Sequence, residues 1–268
     1  VLEINAPLVE EQERHRVLVD RTTALEMTGA AVRAAHLPYA VSTAVSFWAA
    51  AVAGLRTDAV PTIPNGVDVA RFAAQPGSGA DVPVIGFVST FRPWHAPELL
   101  IDAAAALVAE GLPVRLLLVG DGPTLVDNCA SAVAAGVEFE STGAVDPAEV
   151  PELLARCDVA AAPYPAGDAY FSPLKVAEYL AAGLPTVAAA VADLPHLFGR
   201  DEVALVTPGD VVALTDALRR VLTDPAHRAA LAAGGRRAAR ERFAWSAVVD
   251  RVLVGACVDS SSREGLCA

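Results

Sequence analysis

Lys175 and Glu178 stand three residues apart in the segment AYFSPLKVAEYLAAGLP, residues 169–185. Lys and Arg together number 20, and Lys175 is the only Lys among them. Residues three apart on a helix share a face, so this spacing sets an ammonium one turn from a carboxylate. Such a pair suits one nucleotide, the ammonium countering phosphate and the carboxylate accepting from ribose hydroxyls. The same spacing also suits a plain surface ion pair worth about 0.2–0.5 kcal/mol.

The flanking residues decide where on the helix the ammonium falls. Ser172 followed by Pro173 predicts a helix start, with Ser172 as N-cap and proline at the first helical position. Gly183 and Pro185 predict its stop, which gives a helix over 173–182. Lys175 then lies in the first turn, at the positive end of the dipole, where a cation is unfavourable by itself. The amides of Leu174 and Lys175 have no intrahelical acceptor there and attract an anion such as phosphate, whose presence reverses the sign.

Two further turns offer related chemistry. GFVSTFRPWHAPELL, residues 86–100, carries Arg92 and His95 between an apolar run and a helix. LLLVGDGP, residues 116–123, ends a buried strand in a turn whose Gly120 and Gly122 let a ligand approach the backbone closely. Taken singly, each has a structural alternative: Arg92 as a solvated charge, His95 as a loop residue packed on Trp94, the glycines as turn punctuation. Their coincidence with Lys175 favours an anion site.

The elements that must position these groups follow from periodicity. Short apolar runs at 82–88, 114–119, 137–139, 159–162, 186–190 and 203–206 alternate with helical stretches at 97–110, 123–135, 147–156, 173–182, 211–222 and 225–243. This alternation predicts βαβ units, an α/β fold with a doubly wound parallel sheet, and ligands beyond the carboxyl ends of its strands. Residues 10–33 read as one amphipathic helix and 43–55 as a second. A brief strand over 59–63 enters a Pro-Asn-Gly turn. AAQPGSGAD, residues 73–81, reads as a linker and is taken as the domain boundary.

Composition limits the partners. Hydrophobic residues make up 54% of the 268 and aromatics only 6%, so the core is expected to be Ala, Val and Leu. A net charge of −12 argues against broad nucleic-acid binding, which needs a basic surface, so any anion site must be local. No apolar run approaches the ~20 residues that span a bilayer, and the start lacks a basic-then-apolar signature, so a soluble cytoplasmic protein is expected. Cys129, Cys157, Cys257 and Cys267 form no CxxC pair and are expected to be reduced and mostly structural.

The segments IPNGVDVARF, GFVSTFRPWHAPELLIDAAAAL, LLLVGDGP, CDVAAAPY and FSPLKVAEYLAAGLP resemble, in order and spacing, the group 1 retaining glycosyltransferases of GT-B fold, the family 4-like enzymes. The match covers roughly residues 59–250. The resemblance implies two Rossmann-like domains facing a cleft, the carboxy-terminal one holding a nucleoside-diphosphate sugar of UDP or GDP type as substrate. Glu178 matches the family's ribose-binding glutamate, while the glutamate that touches the donor sugar falls on Tyr170. A basic pair falls at Thr90 and His95, and Arg92 between them is expected to share the diphosphate with Lys175.

On this resemblance Lys175, Arg92, Glu178 and Tyr170 are the candidate catalytic residues. The nucleotide is expected to contact His95, Gly120, Gly122 and Tyr164, together with Phe171, Ser172, Pro173 and Leu174 before and at the helix start. No Asp-x-Asp triplet is present to hold Mg²⁺ or Mn²⁺ against a diphosphate, so neither metal nor cofactor is expected and protein cations take that part.

The implied organisation is a partial amino-terminal, acceptor-side domain at 1–75, a nucleotide-sugar-binding Rossmann-like domain at 81–258, and a flexible tail at 259–268. The first part is about half the size of a full Rossmann-like domain and lacks an initiator Met, so the chain is expected to be a fragment, with the acceptor pocket and any base elsewhere. The acceptor is an unknown sugar, lipid-linked or small molecule. A catalytically silent, glycosyltransferase-like subunit that binds nucleotide or partner is the alternative, motivated by Tyr170. An epimerase or phosphorylase of the same fold stands third.

Overall fold

A computed structural model describes residues 1–15, 17–72, 77–167, 170 and 172–263. The chain divides into two compact units, the first formed by Val1–Gly66, Asp168–Pro173 and the stretch from Trp245, the second by Val67–Gly167 and Leu174–Ala244.

In the first unit, β1 (Leu2–Ile4) pairs in parallel with β2 (Pro38–Ala40). Three helices accompany them: α1 (Leu8–His15), α2 (Arg21–Ala34) and α3 (Thr43–Ala53). The expected single helix over 10–33 is two, because the Asp20 carboxylate accepts from the Thr23 amide at 3.0 Å and starts a new helix. Ser42 caps α3 in the same way, and Gly54 ends it at φ 65°. Ile4, Val32, Ala40, Val45, Ala49 and Val60 form the core. The strand expected over 59–63 is reduced to a bridge between Ala40 and Thr62, since Pro61 and Pro64 have no amide to donate to a ladder.

The second unit is a six-stranded, all-parallel sheet. Its strands are β3 (Val84–Val88), β4 (Arg115–Val119), β5 (Glu138–Ser141), β6 (Val159–Ala162), β7 (Thr186–Ala189) and β8 (Ala204–Val206), in the order β5-β4-β3-β6-β7-β8. Every residue of β6 and β7 is buried, which explains why they read as continuous Val and Ala runs instead of alternating. The order reverses between β3 and β6, whose pairing covers only Ile85 with Val159 and Gly86 with Ala160. Beyond that pairing no ladder joins the two strands, at the switch point of strand order where open α/β sheets receive ligands.

Helices α4 (Pro97–Ala109), α5 (Leu125–Ala134), α6 (Val150–Ala155), α7 (Leu174–Ala181), α8 (Leu194–Leu197), α9 (Val211–Thr223) and α10 (Pro225–Ala238) connect the strands and follow the last of them. Leu100, Ile101, Ala103, Ala104 and Leu107 give α4 one buried stripe, and it packs against α9. The helix expected through Phe243 instead passes into a π turn over Ala239–Phe243. α8 was not foreseen, being a single turn.

The units part at Gly66 and Val67, earlier than the expected linker, because Val67 bridges to Ala244 and its amide donates to Phe243 at 2.7 Å. Residues 73–76 of that linker lie outside the described residues. The remainder is tied into the second unit: the Gly77 amide donates to Ala155, and Asp158 accepts from the amides of Ser78 and Val84. The last helix, α11 (Trp245–Arg263), clusters with the first unit, where Val248 and Val252 pack with Tyr39 and Ile63. It includes 259–263, which were expected to be tail; residues 264–268 lie outside the described residues.

Candidate active site

The loop after β3 is held in an unusual conformation. Phe91 and Ala96 have φ of 42° and 47°, in the left-handed region that residues with a Cβ seldom occupy. Neighbours fix both turns. Phe91 is buried and meets Phe87 edge to face at 5.5 Å, its carbonyl accepts from the Thr124 hydroxyl at 2.8 Å, and its amide donates to the Ser89 hydroxyl at 2.9 Å. Ser89 Oγ in turn lies 2.6 Å from His95 Nδ1, and the Arg92 amide donates to that same nitrogen at 3.4 Å.

Gly120 and Gly122 make room for this loop. A Cβ at Gly120 would stand 2.0 Å from the Ser89 carbonyl oxygen, and one at Gly122 would stand 1.9 Å from that of Thr90. The close approach at these glycines is made by the chain itself on the side where a Cβ would stand, which seats residues 89–91 against the end of β4.

Helix α7 follows β6 and brings Lys175 to the same edge. Its Nζ is enclosed and has no hydrogen-bond partner among the described residues. It lies 5.0 Å from the centre of the Phe87 ring and 5.2 Å from that of Tyr164, between aromatic faces that attract a cation weakly. Burial pushes the ammonium down to about 7, and Glu178 only partly opposes that effect. The surface ion pair allowed by the i,i+3 spacing is not made; Lys175 and Glu178 interact only at longer range. Glu178 is raised above the usual carboxylate range by burial, with Arg71 and then Lys175 acting against the rise.

His95 is half-buried, and its imidazole is lowered to about 4 by burial, then by Lys175 and Arg92. It is neutral at pH 7. Its ring also packs edge to face on Trp94 at 6.0 Å, so the packing role open to it from sequence is present as well. Arg92 is exposed. The local field is positive in a chain of net charge −12.

The second unit thus brings Lys175, Glu178, His95, Arg92 and Tyr164 together at the carboxyl ends of β3 and β6. Tyr170, Ser172 and Pro173 cluster with the first unit. The Tyr170 side chain packs on the core there, its hydroxyl pointing to Glu11 at 3.5 Å and its carbonyl accepting from Ser42 Oγ. The Ser172 hydroxyl accepts from the Asn65 amide at 3.1 Å in place of capping α7, which begins at Leu174. Phe171 lies outside the described residues. At the other end of α7, Gly183 has φ 75°, as its stop role requires.

Four residues escaped the sequence reading. Ser89 orients His95 and Phe87 floors the ammonium. The Tyr179 hydroxyl accepts from the Val88 amide at 2.8 Å, where β3 has parted from β6. Arg71, in the 3-10 turn Val69–Phe72, donates to the Pro147 carbonyl and opposes the burial-driven rise of the Glu178 carboxyl. No composition or spacing signal marks a serine or an aromatic residue for such work. Among the described residues no group of three His, Cys, Asp or Glu is placed to hold a metal, and no helix is long and apolar enough to cross a membrane.

Comparison with known proteins gives the family. Residues 82–224 match the model of glycosyl transferases group 1. The chain is 36% identical over 223 residues to a D-inositol 3-phosphate glycosyltransferase of Saccharomonospora viridis, covering 73% of this chain and 49% of that enzyme. It is 31% identical to a phosphatidyl-myo-inositol mannosyltransferase of Mycobacterium leprae, covering 74% and 53%. The chain spans about half the length of the curated relatives it matches. Among solved structures, Anabaena HepE in complex with UDP and glucose superposes with a TM-score of 0.76 at 24% identity, over 94% of this chain and 69% of that one. The architecture is that of the GT-B fold, and the chain belongs to the group 1 glycosyltransferases.

Proposed function

We propose that this chain carries the donor site of an enzyme that moves a hexosyl group from a nucleoside-diphosphate sugar to an acceptor hydroxyl. The observation that carries the reading is the enclosed, unpartnered ammonium of Lys175 beside the neutral imidazole of His95, at the crevice where the sheet order reverses. A buried cation without a partner is costly, and an arriving diphosphate supplies the missing charge. Glu178 then accepts from the ribose hydroxyls.

In the proposed reaction the bond from the anomeric carbon to the diphosphate oxygen breaks, a bond from that carbon to the acceptor oxygen forms, and the acceptor's proton is released. Negative charge grows on the departing phosphate. Lys175, Arg92 and the first amides of α7 stabilise it, a kind of contribution worth roughly 3–4 kcal/mol per well-placed donor. These cations stand where a divalent metal would otherwise stand, and the transfer is proposed to be metal-independent and retaining. The first unit is proposed as the acceptor side and the cytoplasm as the setting. Relatives named for inositol phosphate and phosphatidylinositol favour a polyol or lipid-linked acceptor.

The alternative, a silent nucleotide-binding subunit, draws on Tyr170, whose side chain is engaged within the first unit. Incubating the protein with radiolabelled UDP- and GDP-hexoses in EDTA separates the two. The proposal expects release or transfer of the sugar, lost in Lys175→Ala; nucleotide binding with no turnover in the full-length protein would leave the silent subunit standing.

A further inference from the structure

We propose that Ser89 and the Arg92 amide together hold His95 as a single neutral tautomer, protonated on Nε2, and that this N–H donates to the diphosphate. The inference rests on the diphosphate reading of the site and adds a positioning residue to it. The argument is one of donors and acceptors around Nδ1.

The Arg92 amide can only donate, and it points at Nδ1 from 3.4 Å. A hydrogen on Nδ1 would face that amide hydrogen, so this long contact biases Nδ1 towards presenting its lone pair, and the shorter Ser89 contact decides it. The Ser89 hydroxyl, 2.6 Å from Nδ1, already accepts from the Phe91 amide. Its own hydrogen is therefore free to go to Nδ1. The ring occupies the place that Glu or Gln takes in a capping box, its nitrogen accepting from the residue that opens the turn Pro93–His95. With Nδ1 committed, the ring's remaining hydrogen sits on Nε2.

The backbone makes the arrangement rigid. Ser89 is only 8% exposed, Phe91 and Ala96 are locked at positive φ, and Gly120 and Gly122 leave no room for the loop to sink. The charged groups that act on His95 are the cations Lys175 and Arg92, and the Trp94 ring packs on it, so a neutral donor avoids adding a third positive charge beside them. Burial and those two cations favour the neutral ring.

Nitrogen-15 NMR of the whole 268-residue chain reads the tautomer directly. The chain holds five His, and the His95 signals are identified by their loss in His95→Gln. At pH 7 the ligand-free wild type should show a protonated Nε2 and a bare Nδ1. Ser89→Ala should mix the tautomers and weaken UDP or GDP binding about tenfold, while Ser89→Thr, which keeps the hydroxyl, should restore both. A hydrogen on Nδ1, an imidazolium at pH 7, or an unchanged tautomer in a folded Ser89→Ala protein would overturn the positioning claim. Failure of the wild type to bind either diphosphate would instead remove the site reading beneath it.

Discussion

An ammonium enclosed without a hydrogen-bonding partner lowers the stability of the fold that contains it, and Lys175 is such a group. With its ionisation lowered to about 7, the unliganded folded state binds fewer protons than the unfolded chain between about pH 7 and the ordinary lysine value of 10.5. Unliganded stability should therefore rise with pH through that window, and Lys175→Met should remove the slope in pH-dependent urea denaturation. The same variant should gain on the order of 2 kcal/mol at neutral pH while losing nucleotide binding. A diphosphate reverses the preference because it favours the charged amine. Affinity for UDP or GDP should fall as pH rises above about 7, and calorimetry in buffers of different ionisation enthalpy should detect proton uptake. The groups that face this amine are the rings of Phe87 and Tyr164, with His95 and Glu178 within electrostatic reach. Of these, the sequence pointed to Lys175, Glu178, His95 and, through the resemblance, Tyr164, because a lone lysine at a helix start and a histidine in a strand-end loop are conspicuous residue types. Phe87 and Ser89 were illegible, since their roles depend on which distant residues the fold brings beside them.

Strand and helix ends set the geometry of the crevice. β3 and β6 part after two residue pairs, and the Val88 amide left without a ladder partner is taken by the Tyr179 hydroxyl. Tyr179→Phe keeps the ring but orphans a partly buried amide, and should cost about 1 kcal/mol in urea denaturation together with a loss of nucleotide affinity. Gly120→Ala drives a Cβ against the Ser89 carbonyl at φ 113° and should destabilise by on the order of 3 kcal/mol, displacing the loop that carries Arg92 and His95. The central strands β6 and β7 were legible because parallel strands buried on both faces are continuous apolar runs such as VAAA at 159–162, whereas the edge strand β5, EFES and largely exposed, was located by its place in the strand-helix alternation. Where local signals competed, the reading slipped. Asp20 starts a helix inside what looked like one amphipathic stretch, and the Gly, Pro and Ser run near residue 77 resembles a linker although Asp158 ties it down. The π turn after Ala238 leaves no mark in composition, since ARERF continues a helical pattern.

At the scale of the whole chain, the division into units follows connectivity that no single segment announces. The stretch from Trp245 clusters with residues far earlier in sequence, and Val248 finds Tyr39 and Ile63 there. A chain of net charge −12 can hold an anion only through a few local cations, and the proposal assigns that part to protein groups. The measurement that tests this most directly is the thermal stability of wild type and Lys175→Ala, with UDP and with GDP, in EDTA. One diphosphate at 100 times its Kd should add ~2.7 kcal/mol of apparent stability to the wild type without any divalent ion, and nothing to the variant. Equal stabilisation of both proteins, or a response that appears only when Mg²⁺ is restored, would contradict the assignment of Lys175 as the diphosphate anchor.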